Sequence, residues 1–325
     1  MDGGGTETEA RPLDWIPVAE DERRRPVGGQ AVPGGVMMRG EHHWALAVRQ
    51  TGGAIDIDVH DNPNWAARYE RIPIVRGVAV LAESMSIGMN ALRDASNKAM
   101  PPGKHLSRRG MAVTTSFAVP IAVLLFLVLP ALAARPFATG HGFHLLDGLL
   151  RTVTLVGYVG LVGLIPDIRS VFQYHGAEHK AVAAYEAGAP LTAEGAAPFG
   201  TQHIRCGTNF LLTVVVVTGF VNAAFGRPGC AVLFALRILV LPVVVGLAYE
   251  WLRFAANHYR HPMIAALLVP GLALQRLTTR EPSLVQLDVA MAALRAVIPA
   301  QADVPPADPG SVEGTVLPAG IVVAG

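Results

Sequence analysis

The feature that most constrains this chain is an unbroken apolar run from Met111 to Ala134, whose only polar side chains are hydroxyls. It is framed by Arg108-Arg109 and Arg135. As a helix rising about 1.5 Å per residue it reaches across a hydrocarbon core roughly 30 Å thick. Inside a bilayer every backbone N–H and C=O must find a partner within the protein, and a helix meets that demand alone. Pro120 and Pro130 are tolerable there as kinks. Three further runs follow. Leu145 to Ile165 carries Asp147 and Arg151 near its start, Phe210 to Phe225 is somewhat short, and Ala231 to Tyr249 is interrupted by Arg237 and Pro242. The sequence therefore predicts a mainly α polytopic membrane helix bundle of about four spans, over residues 111–298. The run Met263 to Leu274 contains Pro270-Gly271 and is too short to span, which suits an interfacial or re-entrant piece.

Composition agrees. Of 325 residues, 51% are hydrophobic and 16% charged, whereas soluble domains run nearer a quarter charged. A net charge of +1 offers nothing to nucleic acid, so the expected partner is the lipid bilayer; a homo-oligomer is compatible with this. The two cysteines, Cys206 and Cys230, make no disulfide framework and suit a reducing compartment. Residues 1–30 hold no apolar core, which predicts a disordered arm without a cleavable signal, and residues 299–325 read as a disordered tail. Basic residues set the orientation. Lys98, Lys104, Arg108 and Arg109 precede the first span, Arg135 alone follows it, and Arg253, Arg260, Arg276 and Arg280 follow the fourth. The expectation is a multi-pass protein of the cytoplasmic (inner) membrane, with both termini and the 167–208 loop cytoplasmic.

Ahead of the spans, residues 31–110 read as a cytoplasmic α+β portion. Trp44–Arg49 and Ala54–His60 alternate or nearly so around Gln50-Thr51-Gly52-Gly53, and with Gly35–Arg39 they predict a small β-meander. From Ile74 to Lys98 apolar residues return at helical spacing, as an amphipathic helix.

The chemistry sits in the 167–208 loop. Residues 175–180 read His-Gly-Ala-Glu-His-Lys, an H-x-x-E-H pattern among 11 histidines. On a helix His175 and His179 are one turn apart on one face, so both imidazoles can meet one divalent metal ion, most simply zinc. Glu178 beside them is placed to be the general base. Gly188 and Pro190 end that helix. Two histidines need a third ligand. His203 and Cys206 form H-x-x-C before the third span, and Glu250 ends the fourth; Glu186 and Glu194 are further options. Three protein ligands leave a position for water and make a catalytic site. His175, His179, His203 and Cys206 together would close a structural one. The plain alternative is a pair of interfacial histidines with no metal.

The blocks Gly34–Gly40, Pro73–Val78, Tyr174–Lys180, His203–Phe210 and Tyr249-Glu250 resemble the YqhQ-like family of bacterial membrane proteins, from about Gly34 to Ile298. That family is a domain of unknown function regarded as a predicted metal-dependent enzyme. The resemblance implies membrane location and a metal site, and raises His175, Glu178, His179, His203, Cys206 and Glu250 as a set. Asp288 departs from the Glu expected there. The leading expectation is a metal-dependent hydrolase acting on a peptide or lipid-like substrate at the membrane surface. The rivals are a non-enzymatic membrane protein with a structural metal, and a transporter component using Asp147, Arg151, Arg237 and Glu250 as a polar path.

Overall fold

The computed structural model describes residues 27–50, 52–99, 107–137, 140–224 and 229–298. The N-terminal arm up to residue 26 and the tail from 299 lie outside the described residues. Four strands, β1 (Gly28–Val32), β2 (Gly35–Arg39), β3 (His43–Arg49) and β4 (Ile55–Asp61), form an antiparallel meander in the order β1-β2-β3-β4. The sheet starts three residues earlier than the sequence pattern gives, because Gly28 and Gly29 carry no side chain to reveal a period of two. Gly34, at φ +74°, makes the tight β1–β2 turn, a conformation that only glycine adopts without cost.

The central strands β2 and β3 are buried on both faces, whereas the edge strand β4 is largely exposed. Val36, Met38, Ala45 and Ala47 face α5 (Pro166–Ala187) and α10 (Leu284–Arg295). Met37, Trp44, Leu46 and Val48 face Ile87, Ala91 and Ala95 of α1 (Val75–Ala99). The amphipathic helix expected over 74–98 is thus α1, and it covers one side of the sheet. Its N-terminal end packs on a long apolar helix, α8 (Cys230–Asn257). A Cβ on Gly246 would lie 2.6 Å from the Ile74 carbonyl oxygen, so the two backbones touch.

The first apolar run folds as α2 (Arg108–Val123), a π-helical turn (Leu124–Val128) and α3 (Leu129–Ala134). Pro130 has no amide to give the ladder, and the Leu129 N–H reaches back five residues to the Leu124 carbonyl. Then come α4 (Gly140–Val162), the short α6 (Ala193–Ala196), α7 (Gly207–Ala223) and α9 (Pro262–Thr278). Among the described residues three helical stretches are long and apolar enough to cross a membrane: Arg109–Ala134, Gly142–Val162 and Phe234–Asn257. They turn large apolar side chains outward, with Phe117 69% and Leu239 74% exposed. The third expected span is α7. Its 17 residues cover about 25 Å at helical rise, so it falls short of that length. The 263–274 run is also a 17-residue helix, α9, continuous through Pro270.

Candidate metal centre

Helix α5 enters with Pro166 at its first turn and ends at Gly188, whose φ of +74° gives a left-handed cap. Between these ends, α5 presents His175 and His179 on one face, with ring centroids 4.4 Å apart. The H-x-x-E-H spacing therefore does what helical geometry dictates. Opposite them stands Cys206, the N-cap of α7, whose sulfur accepts from the Thr208 N–H at 3.4 Å. His175, His179 and Cys206 each offer one ligand atom, and all three atoms lie within 4.8 Å of one another. Among the described residues they are the one group of three or more such side chains.

The orientation of the two rings is set by backbone. His175 Nδ1 lies 2.9 Å from the Thr278 carbonyl oxygen, and His179 Nδ1 lies 2.6 Å from that of Thr201. A carbonyl only accepts, so each Nδ1 carries a proton, and Nε2 is the atom each ring has left to offer an ion. His175 Nε2 is 3.3 Å from Cys206 Sγ. A carbonyl-anchored imidazole with its other nitrogen turned inward is the arrangement that metal-ligating histidines adopt. The set fits a soft or borderline divalent ion, two imidazoles and one thiolate being zinc-type ligands.

The charges point the same way. Burial opposes a thiolate at Cys206, but the charge of His179 and hydrogen bonds with both histidines outweigh it. The thiol is held well below its ordinary value. The α7 N-terminus adds a favourable dipole. For His179 burial again opposes the charged form, and the neighbouring Cys206 and Glu178 raise its pKa nonetheless. Glu178 is 6% exposed, with Oε2 3.5 Å from His179 Nε2. Its stem is pressed against β1: a Cβ on Gly29 would meet Glu178 Cγ at 2.6 Å. Val27, Gly28 and Gly29 join the three ligand-type residues and Glu178 around a cavity of about 130 Å³.

The other candidates stand outside this three-residue group. His203 lines the cavity, but its Nε2 is 3.3 Å from Glu186 Oε2, and Arg205 pairs with the other oxygen of Glu186. The His203 backbone is pinned by Gln275, which accepts from its N–H and donates to its carbonyl, each at 2.8 Å. Burial pushes the His203 pKa down. Glu186 is thus committed to His203 and Arg205, and Glu194 is exposed on α6. Glu250 lies outside the group: Arg76 holds both its oxygens, and the Ile74 N–H donates to it at 3.3 Å. It joins α1 to α8 instead of meeting the histidines. The anchoring carbonyls of Thr201 and Thr278 escaped the sequence reading, since a carbonyl leaves no signal in residue type.

Residues 72–300 match the model of a family described as a protein of unknown function, DUF1385. The chain is 33% identical, over 286 residues, to the uncharacterized protein YqhQ of Bacillus subtilis (strain 168). That alignment covers 81% of this chain and 89% of the relative. No solved structure matches.

Proposed function

This chain belongs to the DUF1385 family of proteins of unknown function, and we propose that it is a metal-dependent hydrolase working at a membrane surface. The observation that carries the reading is the convergence of two carbonyl-anchored imidazoles and one thiol, with ligand atoms within 4.8 Å of each other. His175, His179 and Cys206 would hold the ion, and three protein ligands leave a fourth position for solvent. A divalent ion held there supplies Lewis acidity and lowers the pKa of water. Glu178 lines the same cavity and is the group placed to accept a proton from the attacking water and pass it to the leaving group. Gly28 and Gly29 leave the cavity wall low where a side chain would fill it. The ligand-type residues sit on α5, which follows α4, and at the start of α7, and the carbonyl that orients His175 ends α9, so the cluster lies next to apolar helices. That location favours an ester or amide bond in a peptide or lipid-like substrate lying on the bilayer. The excess of basic residues flanking those helix ends supports a cytoplasmic side.

The test is metal analysis of the full-length protein purified in mild detergent. One zinc per chain is expected, lost in Cys206→Ser and in His175→Ala but kept in Glu178→Gln. Cobalt exchange should give a thiolate-to-metal absorption band, and a small hydroxamate should perturb it by occupying the open position. Metal-free protein refutes the reading. A cobalt spectrum blind to hydroxamate makes the site structural.

One observation favours a second reading. The 3.3 Å Cys206–His175 contact, with His175 oriented by the Thr278 carbonyl, is also a cysteine–histidine nucleophile pair. Rapid alkylation of Cys206 by iodoacetamide in protein as purified, without metal, would select it.

A further inference from the structure

The opposite end of the bundle holds a second polar cluster, far from the cavity. Asp147 stands about two helical turns into α4 and Arg237 about two turns into α8, whereas α4 leads at its other end into α5 and the histidines. Asp147, Arg151 and Arg237 are 3%, 6% and 4% exposed. Arg151 Nε donates to Asp147 Oδ1 at 3.0 Å, and Arg237 Nη2 donates to Oδ2. Each guanidinium also donates to one carbonyl, that of Leu127 in the π-helical turn, at 3.2 Å. Glu250, once grouped with these residues, takes no part.

Two observations separate this cluster from simple helix glue. First, among the described residues its charges do not balance: two guanidiniums share one carboxylate, each oxygen of which already accepts from one of them. A charge inside an apolar bundle is expensive unless it is matched. Second, Arg237 Nε is fully buried with no hydrogen-bond partner among the described residues. Two guanidiniums gathered on the same acceptors, with a donor to spare, are the chemistry that captures a tetrahedral oxyanion. Arg135 is the C-cap of α3, which follows the π-helical turn.

We propose that Asp147, Arg151 and Arg237 form a binding site for a phosphate-class anion, entered from the bilayer surface opposite the metal centre. The phosphate of an anionic phospholipid is the source closest to hand; free phosphate shares its chemistry.

The full-length protein, equilibrated in vesicles of equal phosphatidylglycerol and phosphatidylcholine and extracted in mild detergent, is assayed by native mass spectrometry for retained lipid. Wild type should retain phosphatidylglycerol over phosphatidylcholine by about tenfold, the worth of one charge-assisted hydrogen bond. Arg237→Gln leaves a balanced Asp147–Arg151 pair and should abolish the preference. Asp147→Asn removes the competing carboxylate and should keep or raise it. In pure phosphatidylcholine, added inorganic phosphate that raises the thermal midpoint of wild type but not of Arg237→Gln identifies the free ion as the ligand. Wild type with neither lipid preference nor a phosphate response overturns the proposal, as does a preference unchanged in Arg237→Gln. If Arg237→Gln does not fold, Asp147→Asn decides, because loss of preference there contradicts an anion site.

Discussion

Zinc affinity across a short set of substitutions separates ligands from neighbours. Structural zinc is held with about 10–16 kcal/mol by four ligands, so one ligand is worth roughly 2.5–4 kcal/mol, or about 10²–10³ in affinity. Cys206→Ala, His175→Ala and His179→Ala should each lose that much, since their ligand atoms form the one such cluster within 4.8 Å among the described residues. His203→Ala should lose less, about tenfold or a little more. Its Nε2 is already committed to Glu186 at 3.3 Å, and its ring centroid lies 5.9 Å from that of His179, the placement expected of a supporting residue. Glu250→Gln should leave affinity unchanged, the carboxylate being engaged by Arg76. Competition against a chromophoric chelator, in detergent and at fixed pH, measures all five. If His203→Ala costs as much as Cys206→Ala, the site is a closed four-ligand one and the open position does not exist. If Glu250→Gln costs that much, the assignment of ligands is wrong.

Gly29→Ala should keep zinc affinity but lower any hydrolytic turnover by about 10²-fold, because the new Cβ would displace the Glu178 stem from 2.6 Å by close to an ångström; loss of zinc in this variant would instead place β1 in the metal site. Gly246→Ala forces a Cβ against Ile74 backbone atoms at 2.6 and 2.8 Å and should destabilise by about 1–3 kcal/mol in thermal melts. Gly160→Ala, with nothing within 4 Å of the added atom, should be neutral or stabilising, and equal melts for the two would refute the α1–α8 contact. At β4 a hydrogen bond from Lys98 holds the Asp56 carboxyl below its ordinary 3.8, against the effect of burial. A depressed folded pKa stabilises fully above the unfolded value and loses that contribution as pH falls through the folded one. Asp56→Asn should therefore flatten the stability profile below about pH 4, and an unchanged acid limb would contradict the pairing.

How much of this was legible in the sequence depended on whether the signal lay in side chains. Apolar length marked the helices able to cross a membrane, although α7 came out too short to stand with them. Alternation marked the meander except at Gly28 and Gly29, which have no side chain to alternate. One-turn spacing put His175 and His179 on one face, because a helix leaves no other choice. Glu250 illustrates the opposite case. A carboxylate at the end of an apolar helix needs a partner, and metal and arginine serve equally well in one dimension. The partner, Arg76, lies 174 positions away in the chain. The carbonyls of Thr201 and Thr278 were invisible for a simpler reason, since every residue has one.

The two halves of the fold contribute differently to the candidate site, and that division is open to measurement. Cys206 belongs to the N-terminus of α7, and the carbonyl that orients His175 belongs to the last residue of α9. The geometry of the ligand atoms thus rests on how α5 meets the helix bundle. Glu178, by contrast, is fixed from the other side, where β1 presses on its stem and α5 packs against the sheet. Substitutions that loosen α7 or α9 should accordingly release metal. Those that shift β1 should leave the metal in place and misplace the base. A sheet substitution that releases zinc as readily as one in α9 would show that the two layers do not divide the work, and that Glu178 belongs to the ligand set.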